Sequence, residues 1–198
     1  MIPGLVDRIH ECSFVPECWP GVLDELAHLA DARGGALFAA TTAILNWTAS
    51  VSLHDPMVSL IKSDLLLRGQ RFGRLLGTGT AGFVTDYDGY TDEEMRADPF
   101  YSEFLWPNGL GWAAGTAIPL PTGDTVVLSL ERNRTRGPVE SAIVEQLNAL
   151  RPHLGRSALV SARLQLERAR VASETLALIG LRLPWCSAIK AGCWQRTP

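Results

Sequence analysis

Long apolar runs, an excess of positive charge and catalytic signatures are all missing from this sequence. No stretch approaches the roughly 20 apolar residues that cross a bilayer, so no segment is expected to span a membrane. The opening Met1-Ile2-Pro3-Gly4-Leu5-Val6-Asp7 has neither a basic region nor an apolar signal core, and a cytoplasmic location is the expectation that follows. Lysine and arginine number 18 against 21 acids, a net charge of −3, which argues against nucleic-acid binding along the chain. Cysteine is scarce: Cys12, Cys18, Cys186 and Cys193 sit near the two ends, with no Cys-x-x-Cys pair. That spacing excludes zinc and thioredoxin-like motifs. Reduced thiols in the core are expected, with a Cys12–Cys18 disulfide as the alternative. No G-x-S-x-G, H-E-x-x-H or G-K-S/T element occurs. His10, His28, His54 and His153 include no pair at metal-ligand spacing. His10 and His28 are expected at solvated or helix-end positions, and His153 in a structural role beside Pro152. No catalytic residue, metal or cofactor is therefore expected, and the chain reads as non-enzymatic.

What is present is the balance of a globular protein, 46% hydrophobic and 20% charged, long enough to bury a core without staples. Leu5, Val6, Ile9 and Cys12 share one face of a first helix, with Pro3 in its opening turn. A second helix opens at Pro20, repeats Val22, Leu23, Leu26, Leu29 and Ala30 at helical steps, and is expected to stop at Gly34-Gly35. Ala36–Ala40 and Leu45–Val51 read as strands, and Pro56–Leu76 as helical with a break at Gly69. Gly82–Asp86 reads as a short strand. Thr91 and Glu94 form a capping box for a short helix that Pro99 ends. Trp112–Leu120 and Thr125–Glu131 form the clearest hairpin, joined by Pro121-Thr122-Gly123-Asp124. In it Val126, Leu128 and Leu130 alternate with Val127, Ser129 and Glu131. A long helix then starts with Pro138 in its first turn, with Pro152 kinking or splitting it. The order implies an α+β domain, a central antiparallel sheet with helices on one face.

Two apparent sites dissolve on inspection. Gly77-Thr78-Gly79-Thr80-Ala81-Gly82 matches G-x-G-x-x-G, but a dinucleotide site needs a strand before it and a helix after. Here a helix precedes and a strand follows. The acids Asp86, Asp88, Asp92, Glu93, Glu94 and Asp98 suit helix starts better than a calcium loop. A third feature survives. Phe83, Tyr87, Tyr90, Phe100, Tyr101, Phe104, Trp106 and Trp112 cluster in sequence, and Trp47 can join them from its strand. Most of these pack a core. An apolar pocket with a few polar tips is the functional alternative. Its candidate ligand-binding residues are Trp47, Asp98, Tyr101, Phe104 and Trp112, with Asp98 as polar anchor or as plain Asp-Pro helix end.

The runs Gly82-Phe83-Val84-Thr85-Asp86, Asp98-Pro99-Phe100-Tyr101 and Gly109-Leu110-Gly111-Trp112-Ala113-Ala114-Gly115-Thr116 resemble the N-terminal region of LuxR-type helix-turn-helix regulators. Leu150-Arg151-Pro152-His153-Leu154 and the helix around Leu164–Arg170 are similar too, so the resemblance covers about positions 2 to 181. It implies a GAF- or PAS-like sensor that binds a small ligand, here over 1–137. A signalling and dimerisation helix follows over 138–180, striped by Leu147, Leu150, Leu154, Leu159, Leu166, Ala169 and Leu176. A homodimer through that helix is expected. The alternatives are a dimerisation scaffold without ligand and a small enzyme.

The segment 181–198 departs from the resemblance. It holds two of the six tryptophans and two of the four cysteines, with no helical or strand period. One GC-rich back-translation, read in another frame, gives a strand, a Gly-Asp turn and a strand. We hypothesise a frameshift near Gly180, which ends the chain before a DNA-binding part. Sequencing the gene tests this: a downstream helix-turn-helix in the shifted frame is expected, and its absence removes the idea.

Overall fold

The computed structural model describes residues 4–40, 45–121 and 123–182. Pro3, the segment 183–198 and the frameshift hypothesis attached to it lie outside the described residues. Two helices open the chain, α1 (Leu5–Glu11) and α2 (Trp19–Leu29). Strands β1 (Gly34–Ala40) and β2 (Leu45–Ala49) follow, then α3 (His54–Lys62), α4 (Leu65–Arg68) and α5 (Arg71–Gly77). A two-residue β3 (Val84–Thr85) leads to α6 (Asp92–Ala97) and a π-helical turn over Phe100–Leu105. The hairpin β4 (Leu110–Pro119) and β5 (Thr125–Asn133) precedes α7 (Ser141–Arg182). The class is α+β. All five strands form one antiparallel sheet in the order β2-β1-β5-β4-β3.

Strand periodicity explains the layering. On β5, Leu128 and Leu130 join one core with α1, α2 and the first half of α7. Val127, on the opposite face, packs on the second core with Phe38, Met57, Leu60, Phe100 and Phe104. Helices therefore cover both faces of the sheet, a correction to the one-sided arrangement read from the element order. The long α7 supplies the first cover and the segment from α3 to the π turn supplies the second.

Several boundaries move for identifiable reasons. Helix α2 ends at Leu29, and Asp31 rather than a glycine takes the left-handed turn, with φ 47°. The buried Arg132 guanidinium holds the Asp31 carbonyl and carboxylate, and Gly34-Gly35 already belongs to β1. Arg132 also bonds the Pro138 carbonyl at 2.6 Å, so α7 starts at Ser141 instead of at Pro138. Pro152 lies inside α7 without dividing it. The break at Gly69 rests on close approach: an added Cβ would meet Phe100 Cβ at 2.8 Å. The capping box of Thr91 and Glu94 is present, with the Glu94 carboxylate drawn down to about 2 by Arg74 and then by Thr91.

At the α1–α7 contact, His10 is half-buried, its Nε2 lying 3.0 Å from His153 Nδ1. His10 lies in the last turn of α1, the helix-end position expected, and it also packs against α7. Cys12 and Cys18 are both free thiols, which excludes the disulfide alternative, and burial raises Cys12 to about 12. Among the described residues no helix is long and apolar enough to cross a membrane.

Gly35 lies where α2 crosses the sheet. A Cβ there would sit 2.9 Å from Leu130 Cδ2 and 3.2 Å from the Leu23 carbonyl oxygen. Gly35→Val should destabilise the domain by about 1–3 kcal/mol through overpacking. Urea unfolding measures this, and an unchanged midpoint would contradict the packing described.

Candidate functional site

The second face of the sheet carries a sealed ion cluster. Helix α5 presents Arg71 at its first position, 2% exposed. Thr85 and Asp88 form a capping box that turns the chain out of β3 after two residues, shorter than the strand expected over Gly82–Asp86. The short 3-10 turn that follows carries Asp86, which is 1% exposed. Glu131 arrives from β5 on the Val127-Ser129 face and is 4% exposed. Arg71 Nε donates to Asp86 Oδ1 at 3.0 Å, and Nη1 donates to Glu131 Oε1 at 2.9 Å.

Further donors complete most of the cluster. Tyr101 of the π turn donates to Asp86 Oδ1 at 2.5 Å, and the Ala113 backbone N–H donates to Oδ2 at 2.6 Å. Ser129 Oγ donates to Glu131 Oε1 at 2.6 Å. The guanidinium also lies 5.6 Å from the Phe100 ring and 5.5 Å from the Tyr101 ring, within cation–π range. Burial works against the Arg71 charge, but Asp86 and Glu131 outweigh it and hold the pKa well above its usual value. Burial likewise pushes the Tyr101 phenol far up, with Arg71 pulling down and Asp86 adding to the rise, so its proton stays on the oxygen. Two atoms are left over. Arg71 Nη2 and Glu131 Oε2 are buried with no hydrogen-bond partner, a costly state in a folded interior. Arg71, Phe72, Thr116, Val127 and Ser129 line a cavity of about 30 Å³.

The five residues singled out from the sequence do not share a cavity. Tyr101 and Phe104 are buried in the second core. Asp98 accepts from Tyr90 Oη at 2.5 Å, from the Gln70 N–H at 3.0 Å and from the Phe100 N–H at 2.9 Å. It borders a recess of about 140 Å³. Trp112 lines a cleft of about 210 Å³, and Trp47 a groove of about 220 Å³ with Trp19 and Leu37. The sequence reading gave Arg71 no role, named Glu131 only in the strand alternation, and placed Asp86 among helix-start acids. One signal was legible: Glu131 shares the Val127-Ser129 face of its strand, and a carboxylate on a covered face needs a buried cation. Nothing local named Arg71, 60 positions away in sequence, as that partner. Among the described residues no group of three or more side chains suits a metal ion.

Fold and site together define an α+β domain built around one antiparallel sheet, with an ion cluster closed under its second helical layer. No family model matches the sequence, and no curated protein matches it. Solved structures do share the fold. The LBD domain of VqsR from Pseudomonas aeruginosa superposes with a TM-score of 0.61 at 17% identity, covering 83% of this chain and 96% of that one. SdiA from Escherichia coli gives 0.59 at 16% identity over 75% of this chain, which spans 61% of the SdiA chain. CepR2 from Burkholderia cenocepacia, an N-acylhomoserine lactone dependent LuxR family transcription factor, gives 0.55 at 14% identity, covering 81% and 98%. The chain thus has the fold of LuxR-family ligand-binding domains.

Removing one member of a buried ion cluster strands the others without compensation. Arg71→Met should cost about 3–5 kcal/mol of stability. The triple variant Arg71→Met/Asp86→Asn/Glu131→Gln should recover most of it. Urea unfolding reads both, and a loss below about 1 kcal/mol in the single variant would show the cluster to be inessential.

Proposed function

We propose that this chain is the signal-binding regulatory domain of a LuxR-type regulator. In this reading a small molecule is sensed at the second face of the sheet and its occupancy is relayed through α7. One observation carries the reading: Arg71, which lines a cavity with Ser129, has a buried donor without a partner, and its ion-pair partner Glu131 has a buried acceptor without one. A ligand with an adjoining acceptor and donor satisfies both atoms, and pairing them removes a desolvation cost. Tyr101 and Phe104 wall this face. Asp98 anchors the π turn that brings Tyr101 to Asp86. Trp112 borders a cleft at the rim of this layer, while the Trp47 groove, shared with Trp19, Leu37 and Ala158, opens on the α7 side of the sheet. The strand order β2-β1-β5-β4-β3 supports a GAF/PAS-like description of the sensor.

The relay follows from strand alternation. On β5 the cluster residues Ser129 and Glu131 alternate with Leu128 and Leu130, which pack in the core that holds α7. Thr116, at the same cavity, accepts from Arg151 Nε of α7 at 2.9 Å. The 42 residues of α7 run about 60 Å, far beyond the sheet they cover. In this reading the second half of α7 pairs with that of a second copy. The chain itself does not bind nucleic acid in this reading, and it performs no catalysis.

A second reading, a dimerisation scaffold without ligand, is favoured by the size of the cavity, about 30 Å³ and no more than one water's share of volume. Native mass spectrometry of the full chain from its own host separates the two. The sensor reading expects an adduct of small-molecule mass that Glu131→Gln diminishes. A bare mass in every preparation favours the scaffold. Sedimentation at tens of micromolar should show a dimer, and a monomer there overturns the pairing of α7 in both readings.

A further inference from the structure

The motif Gly109-Leu110-Gly111-Trp112 plays no part in the ion cluster, yet it shapes a second site on the outside of the sheet. Gly109 takes a left-handed turn at φ 74° and leads the chain from the π turn into β4. At Gly111 an added Cβ would lie 2.8 Å from both Cβ and Cγ of Arg134, so only glycine lets that side chain lie against the strand. Arg134 then stacks on Trp106, its guanidinium carbon 4.3 Å from the ring centroid. Trp112 meets Tyr87 with ring centroids 5.2 Å apart. These rings, with Arg96 from the last turn of α6, line the cleft of about 210 Å³.

The polar tips of the cleft are already engaged. Trp112 Nε1 donates to the Arg134 carbonyl oxygen at 3.1 Å, and Tyr87 Oη donates to Asp92 Oδ1 at 2.9 Å. Asp92, the carboxylate lining the cleft, is thereby engaged through Oδ1. What stays on offer is aromatic surface and two guanidinium groups, Arg96 and Arg134. Among the described residues neither reaches a carboxylate. The volume is below the roughly 300 Å³ at which drug-sized pockets begin, which suits a small ring system.

We propose that this cleft binds a planar aromatic carboxylate. The ring stacks on the Trp112–Tyr87 and Trp106–Arg134 surfaces, and the carboxylate accepts from Arg96, whose planar fork matches it. The site is separate from the interior cluster and stands whether or not that cluster binds a ligand.

Calorimetric titration of the full chain with 2-naphthoate, and with the uncharged 2-naphthamide, tests the proposal. Saturable binding of naphthoate is expected, with naphthamide weaker by about tenfold or more, the loss of one charge-assisted hydrogen bond. Arg96→Gln, an exposed change, should weaken naphthoate by a similar factor and leave naphthamide unaffected. Gly111→Ala should also weaken naphthoate by displacing Arg134. Ser129→Ala, within the interior cluster, should leave binding unchanged. Equal affinity for the two probes, indifference to Arg96→Gln, or no saturable heat from naphthoate would each overturn the proposal.

Discussion

A single guanidinium fixes how the second helical layer sits on the sheet. Arg71 is charged and 2% exposed, so each nearby element must bring it a partner or suffer its desolvation. Asp86 comes from the turn after β3, Glu131 from β5, and Tyr101 from the π turn. These residues are far apart in sequence, and each element is positioned by a local device of its own. The Thr85–Asp88 box turns the chain out of β3 at Asp86, and Asp98 holds the N-terminus of the π turn. Hydrophobic contact between Phe38, Phe72 and Phe100 is tolerant of small slides, whereas the ion pairs are not. Packing sets the two layers together, and the cluster sets their register.

Much of this architecture was legible in the sequence because it rests on local rules. The β4–β5 hairpin follows from alternation and turn chemistry, and Gly123 takes the left-handed turn at φ 88° that the connection needs. The α6 capping box follows from two residues three apart. The inverted G-x-G-x-x-G is flanked as its surroundings indicated, by α5 before and β3 after. What failed to show was governed by distant partners. Arg132 decides both the end of α2 and the start of α7, and no local pattern reveals that it reaches Asp31 and Pro138. The pairing of His10 with His153 is likewise a product of tertiary packing. The candidate pocket residues were chosen by aromatic density. Density led to Tyr101 and Phe104 in the second core and to Trp47 and Trp112 at its rim, while the unpartnered polar atoms belong to Arg71 and Glu131.

The fold is shared with proteins at 14–17% identity although no curated sequence matches. Backbone pattern explains this. A helix–sheet–helix arrangement asks for alternation, helical stripes and a few glycines at tight crossings, all of which tolerate wide substitution. Function is held instead by particular side chains at particular places. In the reading proposed above Arg71, Asp86 and Glu131 are such residues, and shared architecture alone says nothing of what they bind.

The brevity of β3 has a consequence for behaviour in a crowded solution. One margin of the sheet offers only Val84 and Thr85 before the backbone coils into the turn at Asp86. A foreign strand arriving at β3 itself finds too few free amides and carbonyls to continue the ladder, although β3 covers only Ala114 and Gly115 of β4. The opposite margin, β2, is five residues long and is the side on which an intruding chain has a template. The two margins of the sheet are therefore unequal in the length of their outermost strands, five residues against two.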